Sequence, residues 1–108
     1  MPYLVVRTQW PAHKRAEVLK KTIEIRKKYP PSNYDALAEE RVRSPSVTLE
    51  GAETLGIWEV KKGKLEEFLD LMGSALLLYA DIEGFHYSME VRPTLLEAFA
   101  RAGLPPLE

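Results

Sequence analysis

Three polar side chains alternate along one short stretch in the last third of the chain. His86, Ser88 and Glu90 stand two positions apart, so a β-strand would place all three on one side. A histidine that is oriented by a carboxylate is a common device for proton transfer near neutral pH. The spacing allows His86 and Glu90 to act in this way, or allows His86 to make a structural hydrogen bond inside an oligomer.

A single charge interrupts the first apolar stretch, which runs from Tyr3 to Trp10. Arg7 stands in its middle, where a charge costs free energy unless it is paired or open to solvent. Arg7 therefore forms an ion pair with Glu59 or Glu90, or it binds an anionic ligand through its guanidinium group. With His86 and Glu90, it makes up the set of predicted catalytic residues.

Four aromatic side chains are the predicted ligand-binding residues: Trp10, Trp58, Tyr3 and Tyr34. They can line an aromatic pocket, and the alternative is that they are ordinary core residues, since large aromatic side chains dominate the cores of small domains. Tyr34 belongs to a stretch, Tyr29 to Asp35, in which two prolines predict a loop. That loop can act as a lid over a pocket.

Metal and cofactor sites are not expected. The chain has no cysteine and only two histidines, His13 and His86, which stand in separate predicted elements. A zinc or iron site within one chain usually needs at least two nitrogen ligands and a carboxylate. The glycine-rich phosphate loops, the GxSxG elbow and the HExxH motif do not occur either. No motif in the chain specifies a reaction.

Length and composition predict one domain spanning residues 1 to 108, with 45% hydrophobic residues and a net charge of −1. The charge is uneven, because residues 14 to 28 hold seven Lys or Arg against two Glu. Lys14, Lys21 and Lys28 form a row that would attract nucleic acid, but the acidic remainder of the chain favours a solvated helix face. No apolar run has the length of a membrane span, so we expect a cytoplasmic protein that does not bind membranes.

The hydrophobic periods change in the order strand, helix, strand, strand, helix, strand, followed by a short helix. The second strand contains Pro45, which a central strand would not tolerate but an edge strand or a bulge would. The predicted elements are a strand at Tyr3 to Trp10, a helix at Ala12 to Tyr29, strands at Leu37 to Leu49 and Thr54 to Val60, a helix at Leu65 to Tyr79, a strand at Phe85 to Val91 and a helix at Thr94 to Ala102.

Two apolar stripes run along the first predicted helix. The wider one predicts the face that packs on the sheet, and the narrower one is expected to need some other cover. The wider stripe consists of Ala12, Ala16, Leu19 and Ile23, and the narrower one of Val18, Ile25 and Tyr29.

This order of elements, with its lengths and its edge proline, resembles the dimeric α/β-barrel superfamily of ferredoxin-like domains over residues Tyr3 to Arg92. The resemblance implies an α+β fold in which a four-stranded antiparallel sheet carries two helices on one face. It also implies a homodimer in which a second copy covers the other face and encloses a small apolar cavity. The superfamily shares no general catalytic signature, so it implies no catalytic residues.

The resemblance also assigns the two sheet faces. The helix-covered face would carry Leu4, Val6, Phe85, Tyr87, Met89 and Val91, and the dimer-facing set would be Tyr3, Val5, Arg7, His86, Ser88, Glu90 and Arg92. Both sides of the third strand are mostly apolar, so its orientation stays open, with Trp58 placed near the cavity.

The leading functional hypothesis is a dimeric protein that binds a small apolar or anionic molecule, or a cofactor-independent enzyme. The alternatives are a non-catalytic assembly or regulatory module and, less favoured, nucleic-acid binding through the basic first helix. Oligomers larger than a dimer are also open.

Overall fold

A four-stranded antiparallel sheet is the framework of the computed structural model, which describes residues 1–103; residues 104 to 108 of the predicted domain lie outside the described part. The elements are β1 (Tyr3–Trp10), α1 (Arg15–Lys28), α2 (Pro31–Asp35), β2 (Ala38–Thr48), β3 (Gly51–Val60), α3 (Leu65–Leu77), β4 (His86–Arg92) and α4 (Leu95–Arg101). Short 3-10 turns, Ala12–Lys14 and Leu78–Asp81, precede α1 and follow α3.

The strands lie in the order β2-β3-β1-β4, and every neighbouring pair is antiparallel. This confirms the predicted α+β class and the four-stranded antiparallel sheet. It also places β2 at an edge, where Pro45 removes no hydrogen bond from a central ladder. Among the described helices, none is long and apolar enough to cross a membrane.

The core lies between α3 and one face of the sheet. Phe68, Met72 and Leu76 of α3 are buried against Leu4 and Val6 of β1, as the helical spacing of α3 predicts. The sheet register settles the orientation of β3, since the partner of Leu4 is Trp58. We call this side the helix face and the opposite side the open face.

The prediction for α1 was wrong about its packing side. Val18 and Ile25 are buried, whereas Leu19 and Ile23 of the wider stripe are 52% and 58% exposed. The side of α1 that packs on the protein also contains Thr22. Because threonine is polar, a pattern of apolar residues does not include it. The Thr22 hydroxyl donates to the carbonyl of Val18 and lies 2.6 Å from the Tyr79 hydroxyl, so this half-buried side chain has its hydrogen bonds met.

The segment predicted as a loop between α1 and β2 is also corrected. Residues Pro31–Asp35 form a short helix that begins with Pro31 in its first turn. Proline is suited to this position because its missing N–H would have no partner there and its φ is already helical. Proline therefore ends α1 and starts α2.

The predicted helix cover of β4 is only partly right. Tyr87, Met89 and Val91 share the helix face with Thr8, Val6 and Leu4 by register, yet each remains between 37% and 44% exposed. The helices thus cover β1 and β3 and leave the outer strand open.

Candidate functional site

A cavity of about 400 Å³ lies between the helices and the helix face of the sheet. We call it the helix–sheet cavity. Three of the four predicted ligand-binding residues, Trp10, Tyr34 and Trp58, belong to its lining. The rest of the lining comes from six elements and the segments beside them: Val6, Thr8, Val18, Leu19, Thr22, Ile25, Arg26, Tyr29, Pro31, Asp35, Ala38, Glu40, Arg43, Thr54, Gly56, Met72, Ala75, Leu76, Tyr79 and Phe85.

The first aromatic cluster is a stack of three rings near the end of β1. Phe85 lies between Trp10 and Tyr79, with ring centroids 6.0 Å and 4.2 Å away and interplanar angles of 10° and 8°. Such offset stacking is a favourable arrangement of aromatic rings. The stack forms one wall of the cavity.

The second aromatic cluster is centred on Phe68, which is fully buried. Tyr34 of α2 meets it edge-on at 6.3 Å, and Trp58 meets it at 6.0 Å with tilted rings. Trp58 pairs with Leu4, six residues before Trp10 on β1. The Thr8–Thr54 pair stands between these two positions of the sheet.

Gly56 explains how the Trp58 ring can lie against the sheet. A Cβ atom at position 56 would come within 2.4 Å of the Trp58 ring, which leaves no room for any side chain. The indole therefore occupies the space that a larger residue would take on the helix face. This gives the cavity an aromatic floor.

Hydroxyl groups occupy the middle of the cavity, between the two clusters. Thr8 and Thr54 face each other across β1 and β3 and share a hydrogen bond. On the helix side, the Thr22 hydroxyl already donates to Val18, so the Tyr79 hydroxyl is the donor in the Thr22–Tyr79 pair. The Thr8–Thr54 pair keeps one hydroxyl proton for a ligand.

Charged side chains stand at the mouth of the cavity, between α1, α2 and β2. The Arg43 guanidinium lies 5.2 Å from the centre of the Trp58 ring and 2.8 Å from the Glu40 carboxylate. Arg26 and Asp35 complete the charged rim. The cavity is thus apolar within and charged only where it opens.

Tyr34 keeps its proton at physiological pH. Burial raises the pKa of its phenol, the neighbouring Tyr79 and Tyr29 raise it further, and Arg43 opposes them weakly. A neutral phenol at this position is a hydrogen-bond donor for a bound molecule.

The indole N–H of Trp10 is buried and has no hydrogen-bond partner among the described residues. A buried donor without a partner costs on the order of 1–3 kcal/mol, so it marks a weakly stabilised point of the stack.

The predicted catalytic residues lie on the open face. Arg7 is paired with Ser88 across β1 and β4, and His86 is paired with the neighbouring Gln9, so Arg7 and His86 are diagonal neighbours. They line a shallow depression of about 480 Å³ together with Glu53. All three are exposed.

Neither ion pair predicted for Arg7 forms among the described residues. Glu59 binds Arg41 at 2.6 Å, and Glu90 binds Arg92 at 3.0 Å. Arg7 instead remains open to solvent, the other condition under which a charge is tolerated. The hydrogen bonds of the described residues likewise include none from His86 to Glu90, and the depression holds Glu53 in place of Glu90.

Tyr3 also lies on the open face, paired with Glu59 and Arg92, and is separated from the other three aromatic residues. Residues 1–103 contain no group of three His, Asp or Glu side chains placed to hold a metal ion.

Sequence reasoning missed Thr22, Tyr79 and Phe85 as cavity residues. Tyr79 and Phe85 flank the turn that joins α3 to β4, and only the folded chain stacks them. Thr22 carried a usable signal, since a threonine amid Val18, Ile25 and Tyr29 is a polar residue in an otherwise apolar stripe.

Comparison with protein-family models, curated proteins and solved structures gave no significant match.

Proposed function

We propose that this protein binds a small, mainly apolar, ring-containing molecule in the helix–sheet cavity. The observation that carries the proposal is the cavity itself, a space of about 400 Å³ with an aromatic cluster at each end and hydroxyl groups between. Its volume falls in the range of about 300–1,000 Å³ that small-molecule sites occupy, and an apolar wall with a few polar groups is their usual composition.

The apolar lining of the cavity favours an apolar occupant. Water is a poor occupant of apolar space, because it needs polar partners. A ligand that offers its own apolar surface would remove the apolar lining from water and gain affinity from that burial.

Binding is favoured over catalysis in this cavity. The oxygen-bearing side chains inside it, among the described residues, carry hydroxyl groups, and the carboxylates of Asp35 and Glu40 stand at the rim. A general base needs a pKa near the working pH and a position within hydrogen-bond reach of the substrate. Histidine is the residue type most often used as a general base, but His86 lies on the other face of the sheet.

We also propose a ferredoxin-like arrangement and a homodimer that covers the open face. The strand order supports the first point, since it reads β4-β1-β3-β2 from the other edge and two α/β crossovers connect it. The second is supported by apolar side chains on the open face, where Leu55, Ile57 and Val42 retain solvent exposure beside the buried Val5. One helix layer buries only one face of a sheet, so the other gains from a second copy.

Calorimetric titration with 2-naphthamide, a neutral two-ring probe, tests ligand binding. Tyr34→Ala removes an aromatic wall from the cavity, and Tyr3→Ala removes a half-buried tyrosine from the open face as the matched control. We expect Tyr34→Ala to weaken binding about tenfold and Tyr3→Ala to leave it unchanged. A probe that does not bind at millimolar concentration, or that loses affinity equally in both variants, contradicts the proposal.

Sedimentation equilibrium tests the dimer. The wild-type chain is expected to sediment with twice the mass of one chain, and Ile57→Glu, which places a charge on the open face, is expected to sediment as a monomer. A monomeric wild-type protein at high micromolar concentration would rule out this assembly.

A further inference from the structure

The mouth of the helix–sheet cavity carries two cationic and two anionic side chains among the described residues. The cations are Arg26 of α1 and Arg43 of β2. The Lys61 ammonium, which lies outside the cavity lining, donates to the backbone carbonyl of Asp35 at 2.7 Å. The carboxylates of Asp35 and Glu40 are the opposing charges, and Glu40 is already bound to Arg43.

The helix beside the mouth adds a local excess of positive charge. Residues 14 to 28 contain seven Lys or Arg and two Glu, and this segment includes all of α1. An excess of one sign of charge beside a cleft raises the local concentration of ligands of the opposite sign. Arg26 itself has no ion pair among the described residues, so its guanidinium is available to a ligand.

Arg43 is held at the boundary between the apolar floor and the solvent. Its guanidinium lies over the Trp58 ring while its Nε donates to Glu40 at 2.8 Å. The remaining N–H groups of the planar fork can donate to a second carboxylate without breaking that bond. A ring packed on Trp58 would bring an attached acid group within reach of this fork.

We propose that the ligand is an aromatic carboxylate, with its ring in the helix–sheet cavity and its carboxylate bound at the mouth by Arg26 and Arg43. This inference rests on the proposed ligand-binding function and adds the chemical class. Tyr34 supports it from α2, because its neutral phenol can donate a further hydrogen bond to the carboxylate. Two guanidinium groups and a phenol then recognise an acid that the apolar interior would not accept.

The test compares 2-naphthoate with 2-naphthamide, which have the same ring and nearly the same shape but differ in charge. At pH 7 and low salt, the wild-type protein is expected to bind the acid about tenfold more tightly than the amide, as charge-assisted bonds predict. Added salt is expected to reduce this preference, and lowering the pH through the pKa of the acid is expected to abolish it.

Arg26→Gln removes a guanidinium from the mouth and is expected to reduce the preference for the acid to less than about threefold, with amide affinity unchanged. Lys20→Gln is the matched control, since it removes the same charge from an exposed position of α1 outside the cavity lining. Arg43→Gln is expected to act like Arg26→Gln, with a thermal melt to show that the chain still folds.

Each outcome has a distinct meaning. Equal affinity for acid and amide in the wild-type protein overturns this inference and leaves the ligand-binding function standing. An equal loss of preference in Lys20→Gln and Arg26→Gln also overturns it, because the effect would then belong to the general field of α1. Failure of both probes to bind overturns the ligand-binding function itself.

Discussion

The two faces of the sheet differ in what their side chains do for one another. On the helix face, the side chains form continuous aromatic clusters and paired hydroxyls around a cavity. On the open face, Arg7 and His86 lie near each other but are joined by no hydrogen bond or ion pair among the described residues. The residue types suited to catalysis therefore lie on the face with fewer contacts between side chains. The candidate site is identified by how its side chains contact one another, and not by residue type alone.

The largest contrast between the faces is expected at two adjacent residues of β3. Trp58 is buried on the helix face and Ile57 is half-buried on the open face. Trp58→Ala removes the cavity floor and its contacts with Phe68, and we expect a loss of about 3–5 kcal/mol in the free energy of unfolding. We expect Ile57→Ala to lose less than about 1.5 kcal/mol in dilute monomer. Urea denaturation measures both, and equal losses would contradict the contrast.

A smaller effect is expected from adding one methyl group beneath the same indole. Gly56→Ala places a Cβ 2.4 Å from the Trp58 ring and is expected to cost about 1–3 kcal/mol and to weaken binding of the naphthyl probes. Gly73→Ala in α3 is the control, since its Cβ would meet the Met89 Cε at an ordinary 3.7 Å. A helix favours alanine over glycine by about 0.5–1 kcal/mol, so this variant is expected to be neutral or more stable. A neutral Gly56→Ala variant would show that the ring does not lie over Gly56.

Two neighbouring residues of α1 test which side of that helix packs on the sheet. Val18→Ala removes a buried side chain and is expected to cost about 2 kcal/mol. Leu19→Ala removes a larger side chain that is 52% exposed, and it is expected to cost less than about 1 kcal/mol. Thermal or urea unfolding measures which variant loses more stability. A larger loss in Leu19→Ala would show that the wider stripe, as predicted from the sequence, is the side of α1 that packs on the sheet.

The smallest effect is expected on the open face. His86→Ala and Glu90→Gln change exposed side chains and are expected to alter the free energy of unfolding by less than about 0.5 kcal/mol. They are also expected to leave the affinity for the naphthyl probes unchanged, because these residues lie on the open face and the cavity lies on the helix face. A loss of probe affinity in His86→Ala would contradict this expectation and show that the ligand binds on the open face.

Periodicity could predict most of the framework, because α3 buries apolar side chains at helical spacing and β4 alternates apolar and polar residues along its length. The packing side of α1 could not be predicted in that way. Its true stripe contains Thr22, and the bond that makes Thr22 tolerable comes from Tyr79, 57 residues later in the chain. Spacing along a sequence does not show such a partner.

The candidate site was predictable in part for the same reason. Trp10, Tyr34 and Trp58 are large and aromatic, so composition alone drew attention to them, and three elements then bring them into one cavity. The charged mouth could not be foreseen, because Arg26 and Arg43 belong to α1 and β2 and line one cavity only in the folded chain. Arg7 and His86 attracted attention by residue type, yet their faces and neighbours are set by the register of β1 and β4.

The ¹H–¹⁵N correlation spectrum of the protein, recorded during titration with 2-naphthamide, tests the central claim most directly. If the ligand occupies the helix–sheet cavity, the largest shifts will be in the amides of Thr8, Thr22, Tyr34 and Thr54 and in the two indole N–H signals, with Arg7, His86 and Ser88 nearly unmoved. Shifts centred on Arg7, His86 and Ser88, with the indole signals unchanged, would contradict the claim and place the site on the open face.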